Sequence, residues 1–431
     1  MSTLQNITLR LRNSRLANDS FWALAGSAIG KGLSFMAGVA VARMLGSELF
    51  GEYGTIKNTL MMIAIFSSLG LGYSATKFIA ESKSRNNLQR VADTHIIASL
   101  TTLIMSGCIA LLLLIFAPSV ATYIDAPHLT DTLRLSAIAV VFNAINTTQA
   151  GEMAGLGEYR QLAKNNTWAG VFTFASSIVG AMLYGFDGAI VALILSLMVN
   201  ALLNHISIRR VLHQFNITAR VERRYVCEIL RFSIPIALQE SLYAITHWLS
   251  IFILIKLSGY AELGISQAAN QWYAVLLFIP GALRNVALSH LAATNNDQQN
   301  NHRILRRLIQ INLISTALPA IVVLALAGYI ASWYGASFDG LSIVLGIAVI
   351  TAVVSSMANV LTQTFIAHGK NWFILAMGLI RDTGTVAITY FAIQHYGHGA
   401  LCAACAMLLF QAIYLGAMWI TYRLHIAVDN K

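Results

Sequence analysis

The sequence predicts an all-α polytopic membrane protein with twelve transmembrane helices. Of its 431 residues, 57% are apolar and only 11% are charged, whereas soluble domains carry about 25% charged residues. Apolar windows of the length that a bilayer requires, about 20 residues, recur along the whole chain. Lysine and arginine concentrate in every second connection between these windows. A water-exposed globule this poor in charge could not cover its own surface, so a cytoplasmic enzyme is nearly excluded.

Twelve apolar windows bounded by charge clusters mark the predicted spans. In the first half they lie near 20–44, 53–76, 93–118, 132–156, 164–184 and 187–208. In the second half they lie near 231–256, 263–291, 307–331, 339–367, 371–395 and 399–424. We therefore expect a cytoplasmic tail over 1–19, an N-lobe with spans 1 to 6 over 20–216, and a C-lobe with spans 7 to 12 over 217–431.

The distribution of positive charge predicts that both termini are cytoplasmic. Cytoplasmic loops of membrane proteins carry an excess of lysine and arginine. The two tails and the even-numbered loops with their edges hold 21 of the 28 lysines and arginines, while odd-numbered loops carry acids such as Glu48, Asp125 and Glu262. The net charge of +10 thus reflects topology and predicts no nucleic-acid partner. The first window is too long for a signal-peptide core, so no cleaved targeting segment is expected.

The four cysteines do not suggest redox or metal chemistry. Cys108 and Cys227 are far from any other cysteine, so no disulfide framework is predicted. Cys402 and Cys405 lie inside the apolar run "ALCAACAML", where no further metal ligand stands nearby. We expect small residues there to serve helix packing, and the sequence predicts no metal and no cofactor.

The sequence also carries a trace of internal duplication. Because six is an even number, two six-helix halves would share one orientation, related by an axis along the membrane normal. After span 1 the chain reads "VARMLGSELFGEYG", and after span 7 it reads "LIKLSGYAELGISQ". One fixed offset aligns Arg43 with Lys256, Gly46 with Gly259, and Gly51 with Gly264. Glycine at these positions suits a tight turn into the following helix.

A resemblance to a known family is carried by residues 20–80 and 225–265. The "A-R-x-L-G" turn, the following "F-G-E-Y", the small-residue end of span 2 and the "FSIPIAL" that opens span 7 resemble Wzx-type oligosaccharide flippases. These belong to the multidrug/oligosaccharidyl-lipid/polysaccharide exporter (MOP) superfamily. The resemblance implies two six-helix lobes around a V-shaped central cavity that opens alternately inward and outward. It also implies a location in the bacterial inner membrane.

The substrate implied by this resemblance is an undecaprenyl-diphosphate-linked oligosaccharide repeat unit, moved to the periplasmic leaflet for O-antigen or other surface polysaccharide. A polysaccharide polymerase and a chain-length regulator are the protein partners it suggests. No nucleotide-binding motif appears, so the resemblance implies a secondary transporter and not an enzyme.

Seven cations lie outside the predicted cytoplasmic set, and they are Lys31, Arg43, Lys57, Arg134, Lys256, Arg284 and Arg381. Arg43, Arg134 and Lys256 stand near predicted outer boundaries, where long side chains reach the interface. The other four need a different explanation, because a charge at mid-bilayer costs about 3 kcal/mol or more and usually faces a bundle interior or a wet cavity.

Lys31 is the deepest of these cations in the first half. It lies about eleven residues into span 1, roughly 16 Å along a helix. Ser20, Ser27 and Ser34 share its helical face, which favours a cavity-facing role over the alternative, a structural ion pair. The neighbouring Gly26 and Gly30 are expected to allow close helix packing.

Arg284 and Lys57 complete a predicted set of diphosphate-binding cations. Arg284 follows Pro280, which frees a backbone carbonyl in span 8, and Lys57 in span 2 is either a cavity cation or an interfacial anchor. Lysine or arginine from several helices can neutralise a diphosphate in a low-dielectric path. The related lipid-linked peptidoglycan precursor flippases likewise use cations from helices 1, 2 and 8.

Two further groups of charges are candidates for coupling or structural ion pairs. In span 7, Glu240 and His247 share one face, and Glu240 either pairs with a neighbouring cation or couples protons. His247 titrates near neutrality when unperturbed. In span 11, the adjacent Arg381 and Asp382 point about 100° apart, so we expect them to find structural partners on different helices. The polar groups of span 4, Glu152 among them, do not by themselves indicate a sugar site.

Two other functions remain open on the sequence. A cation-coupled multidrug exporter of the same superfamily should favour acidic and aromatic cavity residues, whereas the clearest deep charges here are Lys31 and Arg284. A membrane-embedded glycosyltransferase or polymerase would normally show acidic catalytic groups or large outer loops, and no large outer loop is predicted. The flippase is therefore the favoured reading.

Overall fold

A computed structural model describes residues 15–215, 221–281, 298–368 and 370–426. Within these ranges every regular element is helical, which confirms the all-α class. The helices are α1 Arg15–Ser68, α2 Leu71–Ser84, α3 Leu88–Tyr123, α4 Thr130–Leu156, α5 Tyr159–Phe215, α6 Arg223–Leu276, α7 Gln298–Ala325, α8 Ala327–Tyr334, α9 Leu341–Ala367, α10 Asn371–Tyr396 and α11 Gly399–Thr421. A 3₁₀ turn over Pro127–Leu129 and a π-helical turn over Tyr422–Ile426 complete the set.

Eight of the described helices are long and apolar enough to cross a membrane, so the chain is a multi-pass membrane protein. Three of them, α1, α5 and α6, each cover all or part of two predicted spans. Each is interrupted by a glycine with a non-helical backbone, namely Gly46 in α1, Gly185 in α5 and Gly259 in α6. The total of twelve spans stays a prediction.

The chain forms two compact units. Unit 1 consists of the chain up to Ala37 together with Thr55–Ile245, and unit 2 consists of Gly38–Gly54 together with the chain from Thr246 onward. The segment Gly38–Gly54 therefore belongs to the unit that holds most of the second half. The lobe boundaries proposed from the sequence, 20–216 and 217–431, stay a prediction.

In unit 1, small residues let α1 and α5 approach each other closely. A Cβ atom added at Gly26 would lie 2.4 Å from the Cβ atom of Ala163, and one added at Gly30 would lie 2.6 Å from the carbonyl oxygen of Asn166. Real Cβ atoms do not come so close to other atoms, so glycine is required at both positions. The packing role predicted for Gly26 and Gly30 is confirmed.

In unit 2, an apolar cluster joins α7, α9 and α11. Leu305, Leu361, Phe365, Tyr414 and Met418 are all buried in it. A second cluster joins the later part of α6 to α10 and α11 through residues that include Leu254, Ile393 and Cys402. The packing role expected for Cys402 is thus confirmed.

Within each unit, connections that the predicted topology places on the same side of the membrane lie together. In unit 1, Lys83 before α3 donates to the carbonyl oxygen of Leu156 at the end of α4, and Arg90 donates to Glu222 before α6 at 3.2 Å. In unit 2, the backbone amide of Ala400 donates to Glu262 at 2.7 Å. This is the arrangement expected of helices that cross a membrane in alternate directions. Which end faces the cytoplasm stays a prediction.

Candidate functional site

The two turns that the sequence aligns have the same backbone conformation. Gly46 has φ 76° and ψ 174°, and Gly259 has φ 81° and ψ 179°. This combination is adopted almost only by glycine, because any side chain would clash with the backbone. The two aligned glycines therefore share one backbone conformation, which agrees with the internal duplication inferred from the sequence.

The same two turns also contact each other reciprocally inside unit 2. A Cβ atom added at Gly51 would lie 2.0 Å from the carbonyl oxygen of Tyr260, and one at Gly264 would lie 2.0 Å from that of Ser47. Ser47 and Tyr260 are related by the offset that relates Gly51 to Gly264. The contact therefore has local two-fold pseudosymmetry, and it brings two backbones together at a distance that no side chain permits.

Two of the three predicted diphosphate cations lie on α1, one on each side of Gly46. The side chains of Lys31 and Lys57 are both exposed. Next to Lys31, the hydroxyl of Ser34 donates to the carbonyl oxygen of Gly30 at 2.9 Å, so it is satisfied within its own helix. Arg284 lies outside the described residues. The binding of an anionic ligand by these two lysines stays a prediction.

The predicted charged residues of spans 7 and 11 differ in burial and in their neighbours. Glu240 is half-buried and His247 is exposed, while Asp382 on α10 is close enough to His247 for an electrostatic interaction.

Arg381 and Asp382 form a hydrogen bond with each other, whereas the sequence predicted partners on different helices. The Nε atom of Arg381 donates to Oδ1 of Asp382 at 2.7 Å, because the long arginine side chain folds back along its helix. The Arg381 guanidinium also lies 5.0 Å from the ring centroid of Tyr414 on α11. Arg381 therefore also contacts a neighbouring helix, and a structural role for Arg381 and Asp382 stays a prediction.

Unit 1 holds a buried pair of acid and imidazole that the sequence did not predict. The Glu152 carboxylate on α4 has 0% of its side chain exposed, and its Oε2 atom lies 3.0 Å from Nδ1 of His95 on α3. The Ser99 hydroxyl, one turn beyond His95, donates to the other carboxylate oxygen at 3.3 Å. A glutamate inside an apolar window and a histidine at the start of the preceding window were the available signals.

A separate hydrogen-bonded group in unit 2 links α6 to α8. The Trp272 ring N–H donates to the Tyr334 hydroxyl at 3.0 Å, and that hydroxyl donates to the Gln271 side chain at 3.4 Å. Burial raises the pKa of Tyr334, so its hydroxyl remains a donor throughout the physiological range. The group holds the end of α8 against α6.

A shallow cavity of about 370 Å³ lies beside this group, lined by residues between Gly328 and Ser342. Asp339 is its only charged lining residue. A lone carboxylate repels a diphosphate, so this cavity does not suit the predicted anionic ligand. Within the described part of the chain, no cluster of three histidine, cysteine, aspartate or glutamate side chains could hold a metal ion.

The fold defines the class of protein. A solved structure described as the inward-facing conformation of a multidrug resistance MATE family transporter of the MOP superfamily superposes with a TM-score of 0.78, at 14% identity over 95% of this chain and 98% of that one. A MOP superfamily transporter from Pyrococcus furiosus gives a TM-score of 0.70 at 15% identity, covering 98% of both chains. The chain thus has the fold of a MOP superfamily transporter.

The match to a sequence family is more specific than the likeness to the superfamily fold. Residues 40–312 match the family described as "Polysaccharide biosynthesis protein", and the chain belongs to it. The EPS I polysaccharide export inner membrane protein EpsE of Ralstonia nicotianae is 25% identical in an alignment of 413 residues that covers 92% of each chain. An uncharacterized membrane protein of Methanocaldococcus jannaschii is 23% identical over 258 residues, 57% of this chain and 60% of that one. The resemblance to polysaccharide transporters of the MOP superfamily is confirmed.

Proposed function

We propose that this protein translocates undecaprenyl-diphosphate-linked oligosaccharide repeat units from the cytoplasmic to the periplasmic leaflet of a bacterial inner membrane, by alternating access. The products would supply O-antigen or another surface polysaccharide. The observation that carries the proposal is the match to a polysaccharide export relative over 92% of both chains. Family membership over residues 40–312 supports the same conclusion.

The chemistry of such a substrate explains the lysines of α1. Its polyprenyl tail can remain in lipid, while its diphosphate needs cations on the way across. Lys31 and Lys57 have exposed side chains, and charge-assisted hydrogen bonds from ammonium groups are among the strongest to phosphate oxygens. Outward movement of an anion is also favoured by an inside-negative potential, by about 2.3 kcal/mol per charge at 100 mV.

A cation-coupled multidrug exporter is the second candidate, favoured by the likeness of the fold to a multidrug resistance transporter. That likeness, at 14% identity, concerns the fold. Exposed lysines on α1 repel organic cations and attract phosphate. The polysaccharide function is therefore the better supported of the two.

Deletion of the gene in its native host tests the proposal. Surface polysaccharide and lipid-diphosphate-linked intermediates are quantified in the deletion strain, the parent and a complemented strain. We expect polysaccharide to be lost and the intermediate to accumulate. Normal polysaccharide together with new sensitivity to toxic cations would contradict the proposal and support drug export.

Substitution of the predicted cations tests the path within the protein. Lys31→Ala, Lys57→Ala and Arg284→Ala should each reduce export about tenfold or more at unchanged protein level, because a hydrogen bond to a charged group contributes about 1.5–3 kcal/mol. Arg134→Ala is the matched control, since Arg134 is exposed and pairs with Asp131 on its own helix at 3.1 Å. Export at the control level in all three variants would refute the cation path.

A further inference from the structure

The cavity between α8 and α9 in unit 2 has the dimensions of a small binding site. Its volume is about 370 Å³, and pockets of about 300–1,000 Å³ are typical of small-molecule ligands. The lining runs from Gly328 to Ser342, and seven of its ten residues are glycine, alanine or serine. Because these side chains are short, a ligand can approach the backbone of the walls closely.

The polar side chains that line the cavity are Asp339, Ser332 and Ser342. The Oδ1 atom of Asp339 accepts from the Gly340 amide at 2.9 Å, but a carboxylate has about four acceptor positions. The Ser332 hydroxyl donates to the carbonyl oxygen of Tyr329 at 2.6 Å, so its own oxygen can still accept. The cavity therefore suits a ligand that has several hydrogen-bond donors and no negative charge.

Buried aromatic residues hold the floor of the cavity in place. Phe338 is 3% exposed, and its ring centroid lies 6.1 Å from that of Phe50 and 5.4 Å from that of Tyr334. The Tyr334 hydroxyl is in turn bonded by the ring N–H of Trp272 at 3.0 Å. A site whose walls are already ordered loses less conformational entropy when a ligand binds.

Two exposed aromatic rings stand beside the cavity on α8. Tyr329 is 64% exposed and Trp333 is 37% exposed, and their ring centroids lie 5.7 Å apart, edge to face. Ser332, which lines the cavity, lies between them in the sequence. Aromatic rings offer large apolar contact area, and a sugar ring has an apolar face of C–H groups as well as hydroxyls. Because such rings are also common at membrane interfaces, they support a saccharide site only together with the cavity.

The position of the cavity along the chain suits the glycan of a transported substrate. It lies in the connection between predicted spans 9 and 10, which the predicted topology places on the periplasmic side. The same connection is bonded to the turn after span 1, because the Ser47 amide donates to the Ser337 hydroxyl at 3.2 Å. A shallow site also leaves room for the rest of an oligosaccharide to extend beyond the sugar that is bound.

We propose that this cavity is a saccharide-binding site, in which Asp339 accepts hydrogen bonds from sugar hydroxyls. Such charge-assisted hydrogen bonds are stronger than those between neutral groups. The inference rests on the proposed export function and adds a second contact with the substrate. The site holds part of the glycan at the outer surface of unit 2 while the lipid diphosphate completes its crossing. Neutral or amino sugars bind there in preference to acidic ones, because the carboxylate repels a second negative charge.

Saccharide binding to the purified protein tests the site without relying on export. The protein in lipid nanodiscs is mixed with oligosaccharides from partial hydrolysis of the host's own surface polysaccharide, and saturation-transfer NMR detects bound sugar. We expect a signal from the wild type and an affinity at least about tenfold lower in Asp339→Ala, because the loss of a hydrogen bond to a charged group changes affinity by that factor. Asp131→Ala is the matched control, since Asp131 is an exposed acid that pairs with Arg134 at 3.1 Å.

A steric variant tests the cavity without changing its carboxylate. A Cβ atom added at Gly328 would meet nothing within 4 Å, so the phenylalanine of Gly328→Phe fills part of the cavity at little cost to the fold. Gly416→Phe on α11 is the control, because its added Cβ atom also meets nothing within 4 Å and Gly416 does not line the cavity. We expect Gly328→Phe to abolish the saccharide signal and Gly416→Phe to retain it.

Three results would contradict the saccharide site. The first is no signal from the wild type, and the second is an equal signal in the wild type, Asp339→Ala and Gly328→Phe. The third is a response to tetraethylammonium or to calcium chloride alone, with no saccharide signal, because the cavity would then bind cations. All three leave the export function untouched, whereas normal polysaccharide after gene deletion would remove that function instead.

Cysteine labelling tests which side of the membrane the cavity faces. In a variant without the native cysteines, Ala336→Cys and Ser84→Cys are each treated with a membrane-impermeant maleimide in spheroplasts. Both positions are exposed, Ala336 in the cavity lining and Ser84 at the end of α2, in a connection predicted to be cytoplasmic. We expect labelling of Ala336→Cys to be several-fold faster, and to be slowed by the added oligosaccharides. Labelling of Ser84→Cys alone would place the cavity on the cytoplasmic side and overturn the proposal.

Discussion

The helices that precede the two duplicated turns have the same geometry at their ends but opposite polar chemistry along their length. The offset that aligns the turns pairs Ser20 with Ser233, Ser27 with Glu240, Lys31 with Ala244, and Ser34 with His247. One face thus carries a lysine in α1 and an acid with an imidazole in α6. The turns themselves keep their glycines and the same φ and ψ angles.

This difference shows which aligned positions can carry different residues in the two duplicated halves. A glycine whose Cβ atom would meet a backbone oxygen at 2.0 Å has no substitute, because backbone cannot move aside as a side chain can. An exposed residue such as Lys31 or His247 has no such restriction. The two faces could therefore acquire different charges, while the turns could not change.

The largest loss of stability should come from exchanging residue types at the aligned positions Lys31 and Ala244. Ala244 is buried, with 6% of its surface exposed, whereas Lys31 is exposed. Ala244→Lys should lower stability by about 3 kcal/mol or more, because it forces a long, unpaired cation into a packed site. Lys31→Ala should change stability by less than about 0.5 kcal/mol. Thermal unfolding of the purified proteins checks both, and equal losses in the two variants would break the comparison.

The next largest effect is expected where the two turns touch. Gly51→Ala and Gly264→Ala should each cost about 2–3 kcal/mol, because the new methyl group forces two backbones apart. The pseudosymmetry predicts similar losses for the two variants. Gly107→Ala is the control, since no atom outside its own helix lies within 4 Å of its added Cβ atom. Melting temperatures that fall in one variant only would show that the contact is not reciprocal.

A smaller loss is expected at the glycines with positive φ. Gly46→Ala and Gly259→Ala should each cost about 1–2 kcal/mol of backbone strain. The loss should be greater at Gly46, whose added Cβ atom would lie 3.3 Å from the Ser337 hydroxyl. That hydroxyl accepts a hydrogen bond from the Ser47 amide at 3.2 Å, whereas a Cβ atom added at Gly259 would meet nothing within 4 Å. Unfolding midpoints of the two variants, measured side by side, test the order.

The smallest effect on export is expected from replacing Glu240 of α6. If Glu240 serves a structural ion pair, Glu240→Gln should leave the pH dependence of export at the wild-type profile. Export is measured between pH 5.5 and 8 in cells that express each protein at the same level. A shifted profile would give Glu240 the coupling role that the sequence left open, and would show that the charge on α6 is part of the mechanism.

Much of the fold followed from the sequence because the bilayer imposes simple rules. Backbone groups in lipid must be satisfied within a helix, so long apolar windows predict helices with little ambiguity. The glycine turns were predictable for a similar reason, since a positive φ leaves almost no choice of residue. The role of Gly26 and Gly30 in close packing was likewise anticipated from their position in a span.

The pairing of side chains between helices was much harder to predict. Arg381 and Asp382 were expected to point apart, yet a long and flexible side chain allows them to meet at 2.7 Å. His95 stands near the edge of its apolar window and its partner lies 57 residues further along the chain, so the sequence gives no sign of their contact.

By itself the sequence determined that this protein is helical, embedded in a membrane and internally duplicated, because hydrophobic length and glycine are local properties that the chain states directly. Only the tertiary structure decided that Gly38–Gly54 belongs to unit 2, that the two turns touch through bare backbone, and that a buried glutamate meets a histidine. Those facts depend on which helix faces lie together. Many packings satisfy the same apolar pattern in lipid, where van der Waals fit and polar contacts select among them.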